Sequence, residues 1–365
     1  MIFNEPTPYI LGLLEKGFLN IKSELDIIFL VENVSQSWNI NSSVFDFNIA
    51  RSKEKYILLL RDIFLKRKYK LIHVAGWSRL KILLIILLSR IFFIPVAVES
   101  DTPLNSEISV WKKIIKKCLY PVLFKFPVFF LPGGMRQANY LNHYGVRSKK
   151  IVNAQMTVDI EHIQNSIVTI SAVARDQLRL DHDVAQQDIV FLYVGRLLDW
   201  KGIRELIAAL KLMKNTRAKL WIVGGGELTD EVQLETRENM NITYFGRISG
   251  DLLWPIYHAA DVLVLPSYWE PWGLVVNEAM AVGKPAIVTE TVGCIDDLVL
   301  NLHTGLVVPP KSITALSDAM RFMLENPEKI KSMAENAKKH IARWTLQNEA
   351  SNIIVAWEKV LLKGN

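Results

Sequence analysis

Cysteine is nearly absent from this chain. Among 365 residues there are two, Cys118 and Cys294, far apart in apolar or glycine-containing surroundings. Two distant thiols support neither a disulfide framework nor a Cys-ligated metal site, and they fit a reducing compartment. No segment has the GxGxxG or GxxxxGK spacing of a phosphate loop, and Gly224-Gly-Gly226 is only a glycine run. Without a strand carrying that fingerprint and an acid about 20 residues on, a dinucleotide oxidoreductase is excluded. The start, Met1-Ile-Phe-Asn-Glu-Pro6, lacks the basic and apolar regions of a secretory signal. The apolar run Leu80–Ala97 is interrupted by Arg90 and Pro95, and its helical part, Ser78–Ile91, falls short of the ~20 residues a membrane span needs. Asp181-His-Asp183 is a DxD string in a polar stretch without strand context, and it reads as solvated linker, so no metal site is expected. No aromatic-basic platform or recognised fold supports nucleic-acid binding. Repeats and low-complexity tracts are absent as well.

What is present is a long, half-hydrophobic chain, too large for one core and too apolar for disorder. The net charge of +6 is unevenly distributed: residues 1–160 hold 22 Lys and Arg against 12 Asp and Glu, whereas the remainder is acidic. A basic half is drawn to something anionic. Its sharpest feature is Trp111 to Leu119. Helical periodicity places Lys112, Lys113, Lys116 and Lys117 on one face, and Trp111, Ile114, Ile115, Cys118 and Leu119 on the other. A basic amphipathic helix with a Trp suits an anionic membrane surface.

Strands and helices alternate almost throughout, which predicts an α/β protein with parallel sheets and right-handed crossovers. Strands are expected near Ile27–Val31, Leu71–Ala75, Phe93–Val98 and Val128–Leu131. After a crossing segment at Asn153–Ile170 the pattern restarts at Asp188–Gly195, then Lys219–Val223, Asn241–Phe245, Val262–Leu265 and Ala286–Thr289. Residues 1–165 and 166–345 are the two expected domains, with a C-terminal helix in 346–365 crossing back to the first. Two doubly wound, Rossmann-like domains would face a cleft at the carboxyl ends of their strands.

The most informative stretch is Glu270-Pro-Trp-Gly-Leu-Val-Val-Asn-Glu278, between a buried strand and a helix that stops at Gly283. The backbone N–H groups of Trp272, Gly273 and Leu274 at this helix start favour an anion. Carboxylates beside such a site repel phosphate, so Glu270 and Glu278 suit sugar hydroxyls instead. Gly195-Arg196 and Lys201-Gly202 flank a second strand end, where Arg196 and Lys201 suit a diphosphate and its developing charge. Asp296-Asp297 fits either a helix start or the edge of a site.

Together, Val194-Gly-Arg-Leu-Leu-Asp-Trp-Lys-Gly202, Val223-Gly-Gly-Gly-Glu227, Phe245-Gly-Arg247, Glu270-x7-Glu278, Ala281-x-Gly-Lys-Pro285 and Thr304-Gly-Leu-Val-Val-Pro309 resemble family 4 of the glycosyltransferases. Thr7-Pro-Tyr9, His73-Val-Ala-Gly76, Glu99-Ser-Asp101 and Gly145-Val with Val158-Asp159 are similar to bacterial surface-polysaccharide and lipopolysaccharide members. The resemblance implies the GT-B fold, a UDP- or GDP-sugar donor, retention of anomeric configuration and a lipid-linked or saccharide acceptor. It implies the first domain for the acceptor and the second for the nucleotide-sugar, at the cytoplasmic face of the cell membrane, with no required cofactor or metal. It assigns Arg196 and Lys201 to the diphosphate, Glu270 to the donor sugar, Glu278 to the ribose, Gly195 to the donor site, and backbone around Arg247 and Ile248 to the base. Many relatives carry a His in the loop after the strand at 93–98. This chain has Glu99-Ser-Asp101 there, and Asp101 is the residue expected to face the anomeric carbon. A non-catalytic nucleotide-sugar-binding protein and a nucleotide-sugar epimerase of the same fold are the alternatives.

Overall fold

The computed structural model describes residues 1–31, 47–104 and 109–362. The chain divides into a unit of residues 1–159 with 345–365 and a unit of residues 160–344. The first contains β1 (Ile2–Phe3), α1 (Pro8–Gly12), β2 (Ile27–Phe29), β3 (Phe47–Ile49), α2 (Lys53–Leu60), β4 (Ile72–Ala75), α3 (Leu80–Ile91), β5 (Val96–Ser100), α4 (Val110–Leu123), β6 (Phe129–Pro132) and α5 (Met135–His143). The second contains α6 (Ile160–Val168), α7 (Ala172–Leu180), β7 (Ile189–Val194), α8 (Ile203–Met213), β8 (Ala218–Val223), α9 (Thr229–Glu238), β9 (Ile242–Tyr244), α10 (Trp254–Ala259), β10 (Val262–Leu265), α11 (Leu274–Ala281), β11 (Ala286–Thr289), β12 (Gly305–Val308), α12 (Ile313–Glu325) and α13 (Pro327–Ile341). The last helix, α14 (Leu346–Leu361), returns to the first unit, where Leu346, Ile353 and Trp357 pack with Phe3, Leu14 and Phe18.

Both sheets are parallel, with orders β3-β2-β1-β4-β5-β6 and β12-β11-β10-β7-β8-β9. Numbered from its own first strand, the second sheet repeats the order of the first. This is the doubly wound arrangement, whose order reverses beside the first strand, opening a crevice at the carboxyl ends. The reversal falls between β1 and β4 in the first unit and between β7 and β10 in the second.

The strands are apolar on both faces because helices cover both. In the first unit α2, α3 and α5 bury Tyr56, Ile82, Ile85 and Tyr140 on one face, while α1 and α14 cover the other. In α8, Ile203, Leu206, Ile207 and Leu210 form the buried stripe, as their spacing predicts. Side-chain caps start α7 and α14: Ser171 Oγ accepts from Ala174 N, and Thr345 Oγ1 from Asn348 N.

Several boundaries differ from expectation. β5 starts at Val96 rather than Phe93, because Phe93 adopts a left-handed conformation and Pro95 follows. β1 has two residues, too few for a periodicity to register, yet it pairs with β2 and β4. The division lies at 159/160, not 165/166: α6 packs on α10 and α11, so the expected boundary would cut through a helix. Among the described residues, no helix is long and apolar enough to cross a membrane.

Candidate active site at the strand switch of the second unit

The loops leaving β7 and β10, on either side of the switch, meet. The first runs from Gly195 through a short helical turn at Asp199–Lys201. Lys201 Nζ donates to Glu270 Oε2 of the second loop, and both side chains are mostly buried. Gly202 makes the approach possible. Its φ is +72°, and a Cβ there would overlap the Pro266 carbonyl oxygen. The Trp200 ring meets two cations, with the Arg196 guanidinium 5.3 Å and Lys201 Nζ 4.6 Å from its centroid. Arg196 is otherwise exposed. In the β10 loop, the Ser267 hydroxyl and the Trp269 indole N–H are buried without a partner among the described residues. Polar atoms so placed are ordinarily satisfied, by protein, water or ligand.

The loop after β10 feeds α11 through Gly273 (φ +101°). Among the described residues, none offers an acceptor to the amides of Trp272, Gly273 or Leu274. Trp272 itself is a pillar under the turn. Its indole donates to Asn277 Oδ1 at 2.9 Å, and its ring packs against Trp344. Its backbone can therefore face a ligand while its side chain cannot. One turn into α11, Glu278 Oε2 accepts from the buried Tyr257 hydroxyl at 2.7 Å. Burial pushes the Glu278 carboxyl up to about 7, against the opposing pull of that hydrogen bond. Burial and the same carboxylate push the Tyr257 hydroxyl well above its ordinary value.

Gly224-Gly-Gly226 is more than a tight turn. A Cβ at Gly224 would overlap the Gly195 carbonyl, one at Gly226 the Leu197 carbonyl, and one at Gly225 the Arg247 side chain. The loops are laced by Leu197 N to Gly225 O at 3.1 Å and Gly224 N to Gly246 O at 2.8 Å. The ends of β7, β8 and β9 thus form one backbone-lined shelf, with Gly195 within it and Arg247 and Ile248 at its β9 side.

The structure brings Lys201 and Glu270 into direct contact, sets Arg196 on the Trp200 ring that Lys201 also meets, and places Glu278 on the adjacent helix. Sequence reasoning missed Tyr257, which carries no motif, and Trp200, whose position between Arg196 and Lys201 was visible. Asp296 and Asp297 lie in turns after β11 rather than at a helix start.

The other expected residues belong to the first unit. Asp101 is exposed just beyond β5. Along α4 no residue is buried, and Trp111, Ile114, Ile115 and Leu119 are exposed. Lys116 departs from the expected cationic face. Its Nζ donates to Tyr140 Oη at 3.3 Å and lies over the Tyr120 and Tyr140 rings, because this edge of α4 leans on the core.

Residues 174–340 match the family model described as glycosyl transferases group 1. An uncharacterized glycosyltransferase of Methanocaldococcus jannaschii is 32% identical over 180 residues, 48% of this chain and 45% of that one. The N,N'-diacetylbacillosaminyl-diphospho-undecaprenol alpha-1,3-N-acetylgalactosaminyltransferase of Campylobacter jejuni is 24% identical over 250 residues, 68% and 65% of the two chains. The match spans less than half the length of the first of these relatives. Among solved structures, HepE of Anabaena in complex with UDP has a TM-score of 0.77 at 18% identity, covering 98% of this chain and 99% of that one. That likeness shows the fold, which is GT-B.

Proposed function

We propose that this chain, whose residues 174–340 are a glycosyl transferases group 1 domain, transfers a sugar from a UDP- or GDP-sugar to a lipid-linked or saccharide acceptor in bacterial surface-polysaccharide synthesis, with retention of anomeric configuration. The contact that carries the reading is Lys201 on Glu270 across the strand switch. A carboxylate fixes the ammonium beside free helix amides and a second cation, Arg196. When a nucleoside diphosphate enters, its phosphates share Lys201 with Glu270 and take the guanidinium and the α11 amides. As the bond from the anomeric carbon to the diphosphate oxygen breaks, these groups stabilise the charge gathering on that oxygen. Glu270 remains to accept from the donor sugar's hydroxyls and Glu278 from the ribose, while backbone near Arg247 and Ile248 meets the base. Asp101 is the first unit's candidate to face the anomeric carbon. No metal is required in this scheme, since two cations and a helix N-terminus meet the diphosphate.

The first unit docks, on this reading, at the cytoplasmic face of an anionic membrane. Along α4, Trp111, Ile115 and Val122 recur at helical spacing and are exposed, Trp111 by 76%. On α3, Leu80, Leu84, Leu87 and Ile91 form a second exposed apolar row. Lys112, Lys113 and Lys117 add positive charge. Apolar area and basic side chains together suit reversible binding at a lipid interface.

The experiment is to incubate the protein with UDP- and GDP-sugars and a lipid-linked acceptor, measuring nucleotide release and the anomeric configuration of the product by NMR. Transfer with retention is expected. Inverted product would remove the retaining mechanism, and a free epimerised nucleotide-sugar would replace transfer with epimerisation.

A further inference from the structure

In the first unit, β4 and β5 are parallel neighbours with His73 opposite Ala97 and Ala75 opposite Glu99. His73 and Glu99 therefore project from the same face, the one covered by α14. His73 is 1% exposed, and its Nε2 lies 2.8 Å from Glu99 Oε1. Its Nδ1 lies 3.1 Å from Trp357 Nε1 of α14. An indole N–H can only donate, so Nδ1 must be the acceptor and the imidazole proton sits on Nε2. Nε2–H then donates to Glu99. The imidazole is held by rings as well: Trp357 meets it edge-on at 5.5 Å, Phe3 lies 6.2 Å away, and Phe18 stacks on Trp357 at 5.3 Å.

This chain of donors ends on a carboxylate that is not sealed. The Glu99 side chain is 25% exposed, near the carboxyl end of β5 and one strand from the switch between β1 and β4. His73 engages Oε1, and among the described residues Oε2 has no hydrogen bond. Asp101, Glu99 and Glu349 all act electrostatically on the hydroxyl of the half-buried Tyr9, which desolvation pushes up to about 12. Burial first, and then Glu99, push the Glu349 carboxyl of α14 well above the ordinary carboxylate range. A carboxylate held through one oxygen, with its other oxygen open and partly exposed, matches a ligand that presents hydroxyl donors.

We propose that Glu99 is the acceptor-binding carboxylate of this enzyme, taking a hydrogen bond from a saccharide hydroxyl of the acceptor, with His73 and Trp357 as positioning residues that set its orientation. This rests on the glycosyltransferase reading above. The test is acceptor kinetics at saturating donor, with nucleotide affinity and thermal unfolding measured in parallel. Glu99→Gln should lower kcat/KM for the acceptor about tenfold to a hundredfold, as expected for losing a hydrogen bond to a charged group. Nucleotide affinity and the unfolding temperature should stay unchanged. His73→Gln, which can still present an amide N–H to Glu99, should keep more acceptor kcat/KM than His73→Leu. Trp357→Phe keeps the ring but frees Nδ1, and it should raise acceptor KM at unchanged nucleotide affinity. If Glu99→Gln leaves acceptor kinetics intact while the wild type turns donor over, this proposal alone fails. Equal losses in His73→Gln and His73→Leu that track their unfolding temperatures would make the histidine a packing residue and overturn its positioning role. A wild type that turns over no nucleotide-sugar would overturn the glycosyltransferase reading together with this one.

Discussion

Replacing Glu278 by Gln should change how stability and nucleotide affinity depend on pH. Burial raises the Glu278 carboxyl from 4.5 to about 7. Between these values the folded protein holds a proton that the unfolded chain has lost. The stabilisation this gives is fully present below pH 4.5 and is lost as pH rises through 7. A tenfold difference in proton affinity between the folded and unfolded chain is worth about 1.4 kcal/mol, so the interval amounts to about 3 kcal/mol. Gln resembles the protonated acid and cannot titrate. In urea unfolding at a series of pH values, Glu278→Gln should therefore gain on the wild type by up to about 3 kcal/mol between pH 4.5 and 8. Binding should move the opposite way. The ionised carboxylate is the better acceptor for a ribose hydroxyl, so wild-type affinity for nucleoside diphosphate should rise through pH 7, with proton release measurable by calorimetry in buffers of different ionisation enthalpy. The Gln variant should bind more weakly above pH 7 and show less of that rise. Parallel stability profiles for the two proteins would refute the weakened acidity of Glu278, and equal affinities at pH 8 would refute the ribose contact.

Arg196→Ala should lower turnover by about 10²–10³ with little effect on unfolding, since an exposed guanidinium is lost from a developing charge. Lys201→Ala should lower both, because it strands the mostly buried Glu270; Lys201→Met with Glu270→Gln should recover stability in denaturant titration without recovering rate. Gly224→Ala should abolish nucleotide binding in calorimetry, as its Cβ would force the Gly195 loop away. Replacing Lys112, Lys113 and Lys117 by Gln together with Trp111→Ala should release the protein from anionic vesicles in a sedimentation assay, and high salt should mimic the lysine changes. A chelator should leave wild-type turnover intact, and a loss restored by Mn²⁺ or Mg²⁺ would contradict the metal-free scheme.

The second unit was more legible in the sequence than the first. Val262–Leu265 and Ala286–Thr289 match their expected bounds because each is an apolar run framed by turn residues. The two-residue β1 and three-residue β3 are too short to have a period, and only their neighbours in the sheet define them. Charge and motif position pointed to Arg196, Lys201, Glu270 and Glu278. What they could not give was the direct Lys201–Glu270 contact, because the loops meet only once the strand order is known. The contacts of Tyr257 and Trp357 were invisible for the same reason: each is made to a partner distant in sequence, Glu278 in one case and His73 in the other. Lys116 was misplaced because helical periodicity assigns a face but not which edge leans on the core.

The central claim is that the strand switch of the second unit, with Arg196, Lys201 and the α11 amides, holds a nucleoside diphosphate. Calorimetric titration of the wild type and Arg196→Ala with UDP, GDP and their parent nucleosides, with a chelator present, tests it most directly. One of the two diphosphates should bind well above its nucleoside, and the Arg196→Ala variant should lose much of that difference. Failure of both diphosphates to bind, or a diphosphate that binds no better than its nucleoside, would contradict the account.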